Sequence, residues 1–495
     1  MKKGITLNLE VDLLECKGFV DASAIIGRLD KRCYGQFIEH LGRCIYGGIW
    51  VGEDSEIPNR RGFRLDVLEA VRELNPRIVR WPGGNFSSGY HWIDGVGPRE
   101  KRPRRYDMAW GAEEPNTFGT DEFLEWCRLV GAEPFIVVNA GNGTPKEAAG
   151  WVDYCNSKGG TYYASLRRRY GHADPYGVRL WGMGNELYGR WQIGFCVDGA
   201  ECARRTIEFA NEMRKVDPSI EIVAVGCEDP EWNLEMVKKA GEYFDYLSVH
   251  IYIGGDKPYT ELAAVPLDIE ERLRSVYGLV QSARRRYSVK RKIRLAFDEW
   301  NVWYPEAKAP LHRQVTSIRD AVFTGGVLNV LQRLCREVPI GGFAQTVNVL
   351  PLIIASEDGR MALTSQYLVF KLYGENTGDH VLKTAVDTDH YLSSELKKPV
   401  PYVDLSATVT GDGKTMHLHV VNRHEAEPAE MEVSFRNFTP KEASCMYVAG
   451  ETVDDRNTLD EPGRVKIERT GVKIEGGRLR VDLPAHSVNV IKALG

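Results

Sequence analysis

The chain has 495 residues, with 64 Lys and Arg against 69 Asp and Glu and a formal charge of −5 at pH 7. That length suits a barrel plus a smaller domain, and a basic content scattered apart from short runs at Arg102–Arg105 and Arg167–Arg169 disfavours nucleic acid, which needs a concentrated basic face. No apolar run approaches a membrane span and no signal-peptide segment opens the chain, so the sequence reads as cytoplasmic, with no membrane partner.

Ten cysteines are dispersed without a CxxC pair, and no histidine cluster has zinc spacing. They read as reduced, mostly buried thiols, although Cys196 and Cys202 could bridge. No metal or cofactor is expected.

Residues 1–28 contain short alternating stretches, Ile5 to Leu9 and Ala24 to Ile26, that suit strands of a sheet completed elsewhere in the chain. From Cys33 the pattern changes. Eight apolar or aromatic runs follow, at Tyr34–Phe37, Ile78–Trp81, Pro134–Val138, Leu180–Gly184, Ile222–Val225, Tyr246–Val249, Ile293–Phe297 and Gly342–Val347. Between them lie segments with apolar spacings of three and four, such as Leu65–Asn75, Thr120–Gly131, Ala203–Asp217 and the stretch around Ile269–Tyr287. Strand and helix in alternation predict a parallel sheet, and eight units predict a (β/α)8 barrel over residues 29–382. An insertion is expected at WPGGNFSSGYHWIDGVGP after the second strand, with the arginine-rich stretch beyond it. No GxGxxG supports the competing doubly wound fold.

Beyond about Leu382 the helical period gives way to alternating runs at Ala407–Thr410, Met416–Val421, Met431–Phe435, Leu479–Leu483 and Val488–Ile491, with a hairpin turn at Gly411–Lys414. Residues 383–495 are therefore predicted to form an all-β sandwich of jelly-roll type, joined by the N-terminal strands. Pro440–Gly471 receives no assignment.

Chemistry in a parallel barrel gathers at the C-terminal strand ends. Here those ends supply Glu39 and His40, Asn85, Asn139, Asn185 and Glu186, His250 and Tyr252, Glu299, and Gln345 with Asn348, a set suited to a neutral polyol. Glu186 and Glu299 each follow a buried strand and sit beside aromatics, with Trp300, Trp303 and Tyr304 offering faces for a sugar ring. Paired carboxylates are what glycoside hydrolysis requires. At a gap of ~5 Å and an effective dielectric of ~20 their repulsion is about 3 kcal/mol, which is expected to keep one of them protonated.

The motifs GQFIEHLGRCIYGGIWVG, RWPGGNFSSGYHW, GMGNE, SVHIY, FDEWNVWY and AQTVNVL together resemble the family 51 glycoside hydrolases, the intracellular α-L-arabinofuranosidases. The resemblance runs over nearly the whole chain. It implies a barrel with a β-sandwich, retaining double displacement, arabinofuranose-containing oligosaccharides or polysaccharides as partners, and a homo-oligomer, commonly a hexamer. Glu186 then corresponds to the acid/base and Glu299 to the nucleophile. Asn185 would bond the sugar 2-OH, while Glu39, Asn85, His250, Tyr252 and Gln345 would hold the other hydroxyls and the nucleophile. Trp110 is similar to an aromatic at the site entrance. The chain departs from the family in reading LYGRWQIG after GNE, where many members have MDGPWQ, and in a shorter connection after Tyr304. The alternatives are a β-1,4-glucan endoglucanase or xylanase and a non-catalytic carbohydrate binder.

Overall fold

The computed structural model describes residues 14–495; the alternating stretch at Ile5–Leu9 lies outside them. Eight parallel strands close into a barrel: β1 (Gln36–Phe37), β2 (Ile78–Trp81), β3 (Glu133–Val137), β4 (Leu180–Gly182), β5 (Glu221–Ala224), β6 (Tyr246–Gly254), β7 (Arg294–Trp303) and β8 (Ile340–Ala344). The (β/α)8 expectation holds, with boundaries moved by a few residues. The largest extensions are in β6 and β7, which run past the expected ends and carry His250, Tyr252 and Glu299 within the strands themselves.

Helices cover the barrel because their apolar stripes have nowhere else to go. Several are started by side-chain caps, with Thr144, Asp198, Asp229 and Thr364 each accepting from a backbone N–H of the first turn. The helix expected around Ile269–Tyr287 begins earlier and spans Tyr259–Arg286. Inside the barrel, Ile78, Phe135, Val137, Leu180, Val223, Tyr246, Ala296 and Ile340 fill the lower layer, leaving polar groups to the upper rim.

The insertion after β2 contains a short hairpin, Arg105–Asp107 paired with Ala112–Glu114, whose turn carries Trp110. It is pinned from below. His40 Nε2 accepts from Trp81 Nε1 at 3.0 Å, so Nδ1 is the protonated nitrogen and donates to Glu114 Oε2 at 2.8 Å. Tyr46 donates to the other oxygen of Glu114.

The C-terminal strands and Leu14–Arg28 form one ten-stranded sheet. Leu14–Arg28 is antiparallel to His380–Asp387 and parallel to Ala429–Arg436, so this sheet is not purely antiparallel. Apolar residues from both halves of the strand order, including Leu14, Leu405, Leu418, Met431, Cys445, Leu479 and Ile491, share one core, so the sheet folds back on itself. Pro440–Gly471 is more ordered than its composition suggested. It supplies strands Glu442–Val448 and Ile467–Thr470, and Val453 and Asp455 accept from the backbone N–H groups of Arg319 and Ile318 at the start of a barrel helix.

Candidate active site

One irregularity in β7 organises the site. Its pairing with β6 runs Ser248 opposite Ala296 and then His250 opposite Glu299, so two residues of β7, Phe297 and Asp298, face one of β6. This is a β-bulge, and it breaks the inward–outward alternation of a strand. Asp298 and Glu299, although consecutive, both reach groups at the barrel mouth.

Arg80 receives them. Its guanidinium, almost fully buried on β2, donates from Nη1 to Glu299 Oε1 at 2.6 Å and from Nη2 to Asn185 Oδ1 at 2.7 Å, and Nε lies 3.2 Å from Asp298 Oδ2. The other oxygen of Glu299 accepts from Tyr252 at 2.8 Å, and charge placed there keeps the phenol protonated by raising its pKa beyond what burial alone does. Glu299 is thus held at both oxygens.

Glu186 follows β4 with φ +43°, in a turn closed by Gly189 N donating to Glu186 O at 2.7 Å. His250 Nδ1 lies 2.8 Å from Glu186 Oε1 and 3.6 Å from Glu299 Oε2. On its far side, Nε2 is 3.0 Å from Ser248 Oγ, which donates to Asp298 Oδ1 at 2.6 Å. Burial alone would push the imidazole pKa down, but Glu299 and Asp298 raise it to about 10. Those two carboxylates favour the imidazolium form of His250.

This corrects one expectation about charge. Burial would raise the Glu186 carboxyl, but the bond to His250 and a further contact with Tyr188 bring it below its ordinary value. Repulsion between the two glutamates is offset because His250 stands between them and Arg80 sits on Glu299. The raised carboxyl is Glu39, pushed up to about 7 by burial and by Glu299. Glu39 Oε1 accepts from Gly84 N (3.0 Å), Phe86 N (3.2 Å) and Trp110 Nε1 (3.1 Å), while Oε2 accepts from Gln345 Nε2 at 2.9 Å. The paired glycines of WPGGN make room for it. A Cβ at Gly83 would lie 2.5 Å from Glu39 Cγ, and one at Gly84 would lie 3.1 Å from Glu299 Oε1.

Of the other expected residues, Asn85 joins the site through Asn185 Nδ2 at 3.4 Å and through Gln192, which donates to the same oxygen. His40, Asn139 and Asn348 do not join it. His40 anchors the hairpin, Asn139 accepts from the N–H groups of Gly141, Asn142 and Gly143, and Asn348 ties Arg43 to Ala355. Strand-end position alone does not decide whether a polar group serves the pocket or its own loop. Trp300 is no sugar platform either: it is fully buried among Phe297, Phe323, Phe343 and Phe370. Tyr304 donates to Asp320 at 3.0 Å, and Trp303 packs edge-on to Tyr252.

Sequence reasoning gave no role to Arg80, Ser248 or Gln192. Arg80 had a signal, a lone charge in the apolar strand IVRW, where burial without partners would be prohibitive. Sequence spacing also gave no metal cluster, yet Glu186, His250 and Glu299 bring one ligand atom each within 4.8 Å of one another. Within the protein these atoms already have partners: Glu299 and Asp298 favour a proton on His250, and Arg80 bonds Glu299.

Two family models match the chain: the α-L-arabinofuranosidase 1 domain over residues 70–264 and the α-L-arabinofuranosidase C-terminal domain over residues 298–487. An intracellular exo-α-(1→5)-L-arabinofuranosidase of Halalkalibacterium halodurans is 34% identical over 96% of this chain and 98% of its own. The chain belongs to the α-L-arabinofuranosidases of glycoside hydrolase family 51. Intracellular exo-α-(1→5)-L-arabinofuranosidase 1 of Bacillus subtilis is 36% identical over 85% of this chain and 87% of its own. Among solved structures, the Thermotoga maritima α-L-arabinofuranosidase in complex with arabinose is 40% identical and superposes with a TM-score of 0.90, covering 97% of this chain and all of the other. A bifunctional glucanase-xylanase, CelM2, is 14% identical at a TM-score of 0.64 over 97% of this chain and 99% of the other, a likeness of fold alone.

Proposed function

We propose that this chain is a retaining, exo-acting glycoside hydrolase that releases terminal non-reducing α-L-arabinofuranosyl residues from arabino-oligosaccharides, arabinan or arabinoxylan. One observation carries the reading beyond family membership: carboxylate oxygens of Glu186 and Glu299 lie within 4.8 Å of each other. Retaining pairs sit ~5–5.5 Å apart, whereas inverting pairs leave ~6.5–9.5 Å for a water.

Glu299 attacks the anomeric carbon. Tyr252 and Arg80 fix its two oxygens, so attack needs little reorganisation. Glu186 protonates the departing oxygen and then, as a carboxylate, takes a proton from the water that hydrolyses the glycosyl ester. Asn185, aimed by Arg80, meets the 2-OH, while Glu39, Asn85 and Gln345 bind the remaining hydroxyls and Trp110 closes the entrance. Action inside the cell on imported oligosaccharides, within arabinan catabolism, belongs to the same reading and fits ten free cysteines. So does a homo-oligomer, a hexamer by family resemblance, which light scattering checks.

Hydrolysis of an aryl α-L-arabinofuranoside tests the assignment. Glu299→Ala should abolish turnover. Glu186→Ala should lose about 10²–10⁴-fold on a natural linkage and much less on the aryl substrate, whose leaving group needs little protonation. Equal losses on both substrates would remove Glu186 from its role. Arabinose release from linear arabinan and from arabinoxylan, with a β-1,4-glucan as control, separates the polymer preferences. A non-catalytic binder would release nothing from any of them.

A further inference from the structure

Ser248 belongs to none of the sugar-binding or reacting groups, yet it is buried at the centre of the charge network. Its side chain lies between two others, His250 Nε2 at 3.0 Å and Asp298 Oδ1 at 2.6 Å. A serine hydroxyl has one hydrogen to give. Asp298 is a carboxylate that only accepts: burial would raise its pKa, but His250 and Arg80 hold it below the ordinary range. The hydrogen of Ser248 is therefore committed to Asp298, and towards His250 the hydroxyl can only accept. Nε2 must then carry a proton whatever the state of the ring. The exchangeable proton of His250 is left on Nδ1, 2.8 Å from Glu186 Oε1.

We propose that Ser248 is a positioning residue that locks the Nε2–H tautomer of His250, so that His250 and Glu186 hold one mobile proton between Nδ1 and Oε1. The inference rests on Glu186 as the acid/base. With the proton on Nδ1 the pair is imidazolium and carboxylate; with it on Oε1 the pair is neutral imidazole and carboxylic acid, ready to protonate a leaving oxygen. Glu186 can thus receive its proton from His250 directly. The cycle balances: Glu186 gives one proton to the glycosidic oxygen as that bond breaks and the Glu299 ester forms, then takes one from the attacking water as the ester breaks. Were Nδ1 to hold the fixed proton instead, the mobile one would sit on Nε2, facing Ser248 and out of reach of Glu186.

The groups facing this pair are Asp298 and Glu299 from β7, Tyr252 from β6, Arg80 from β2 and Tyr188 from the loop after β4. Ser248→Ala removes none of their charges and takes away the 3.0 Å acceptor on Nε2, leaving Asp298 Oδ1 there at 3.5 Å.

Two measurements test the proposal. Imidazole ¹⁵N shifts of His250 in the wild-type protein should show Nε2 protonated throughout and Nδ1 alone titrating as pH rises; loss of the Nε2 proton first would overturn it. Kinetically, Ser248→Ala should lower kcat/KM by about 10-fold or more on an arabino-oligosaccharide and only slightly on a nitrophenyl arabinofuranoside, with Ser248→Thr restoring both. Equal losses on the two substrates, or no rescue by threonine in a variant that melts like the parent, would leave Ser248 a packing residue. Failure of the wild type to hydrolyse any arabinofuranoside would instead defeat the enzyme reading, while the ¹⁵N result still decides the tautomer.

Discussion

Arg80 and Glu299 are joined at 2.6 Å across the mouth of the barrel, both nearly sealed from solvent. The guanidinium is the point where β2, β4 and β7 meet chemically, because its fork also reaches Asn185 and Asp298. A planar, permanently charged fork holds its five N–H donors in a fixed, spread geometry, which the three donors of an ammonium, all on one nitrogen, do not reproduce.

Arg80→Met should therefore leave two buried carboxylates without the guanidinium that pairs with both. Removing one partner of a buried pair costs about 3–5 kcal/mol, so the midpoint of urea unfolding should fall accordingly, with activity lost even in the folded fraction. Arg80→Lys should recover part of the stability but not the activity, since Asn185 and Glu299 would no longer be aimed together.

Glu39 should give the protein an uncommon pH dependence. Its carboxyl is raised from 4.5 to about 7 on folding, chiefly by burial and then by Glu299. A carboxyl whose folded pKa is raised binds more protons folded than unfolded, so its contribution is fully present below pH 4.5 and is lost as pH climbs through 7. At 1.36 kcal/mol per unit that is about 3 kcal/mol at most. Unfolding midpoints measured from pH 5 to 8 should decline for the parent and flatten for Glu39→Gln, which keeps the shape and loses the titration.

The hairpin carrying Trp110 stands on the buried contact between His40 and Glu114. Glu114→Gln should loosen it and raise KM several-fold for arabinofuranosides while kcat changes little, because Trp110 bonds Glu39 rather than either reacting carboxylate. A fall in kcat with KM unchanged would count against a hairpin that acts on binding.

Chelation should have no effect. Glu186, His250 and Glu299 are close enough to hold a cation, but Glu299 and Asp298 favour a proton on His250, and Arg80 already bonds Glu299. Activity after dialysis against EDTA should equal that before it. Loss that zinc restores would show that the imidazole gives up its proton to a metal.

The amino-acid sequence alone determined the alternation of eight strands with helices, the β-rich C-terminal part and the two glutamates, because apolar periodicity and residue type are local properties. His250, Tyr252, Glu39 and Gln345 were also legible there as polar groups at strand ends. Only the tertiary structure decided that Asn139 and Asn348 serve their own loops and that Trp300 is core, since a strand-end position does not say which way a side chain turns. It also decided which acid is pushed upward, Glu39, and which are paired with cations. The β7 bulge puts Asp298 beside His250, and Arg80, distant in the chain, neutralises Glu299. Ionisation depends on the summed field of groups within a few ångströms, and that proximity is created by closing the barrel.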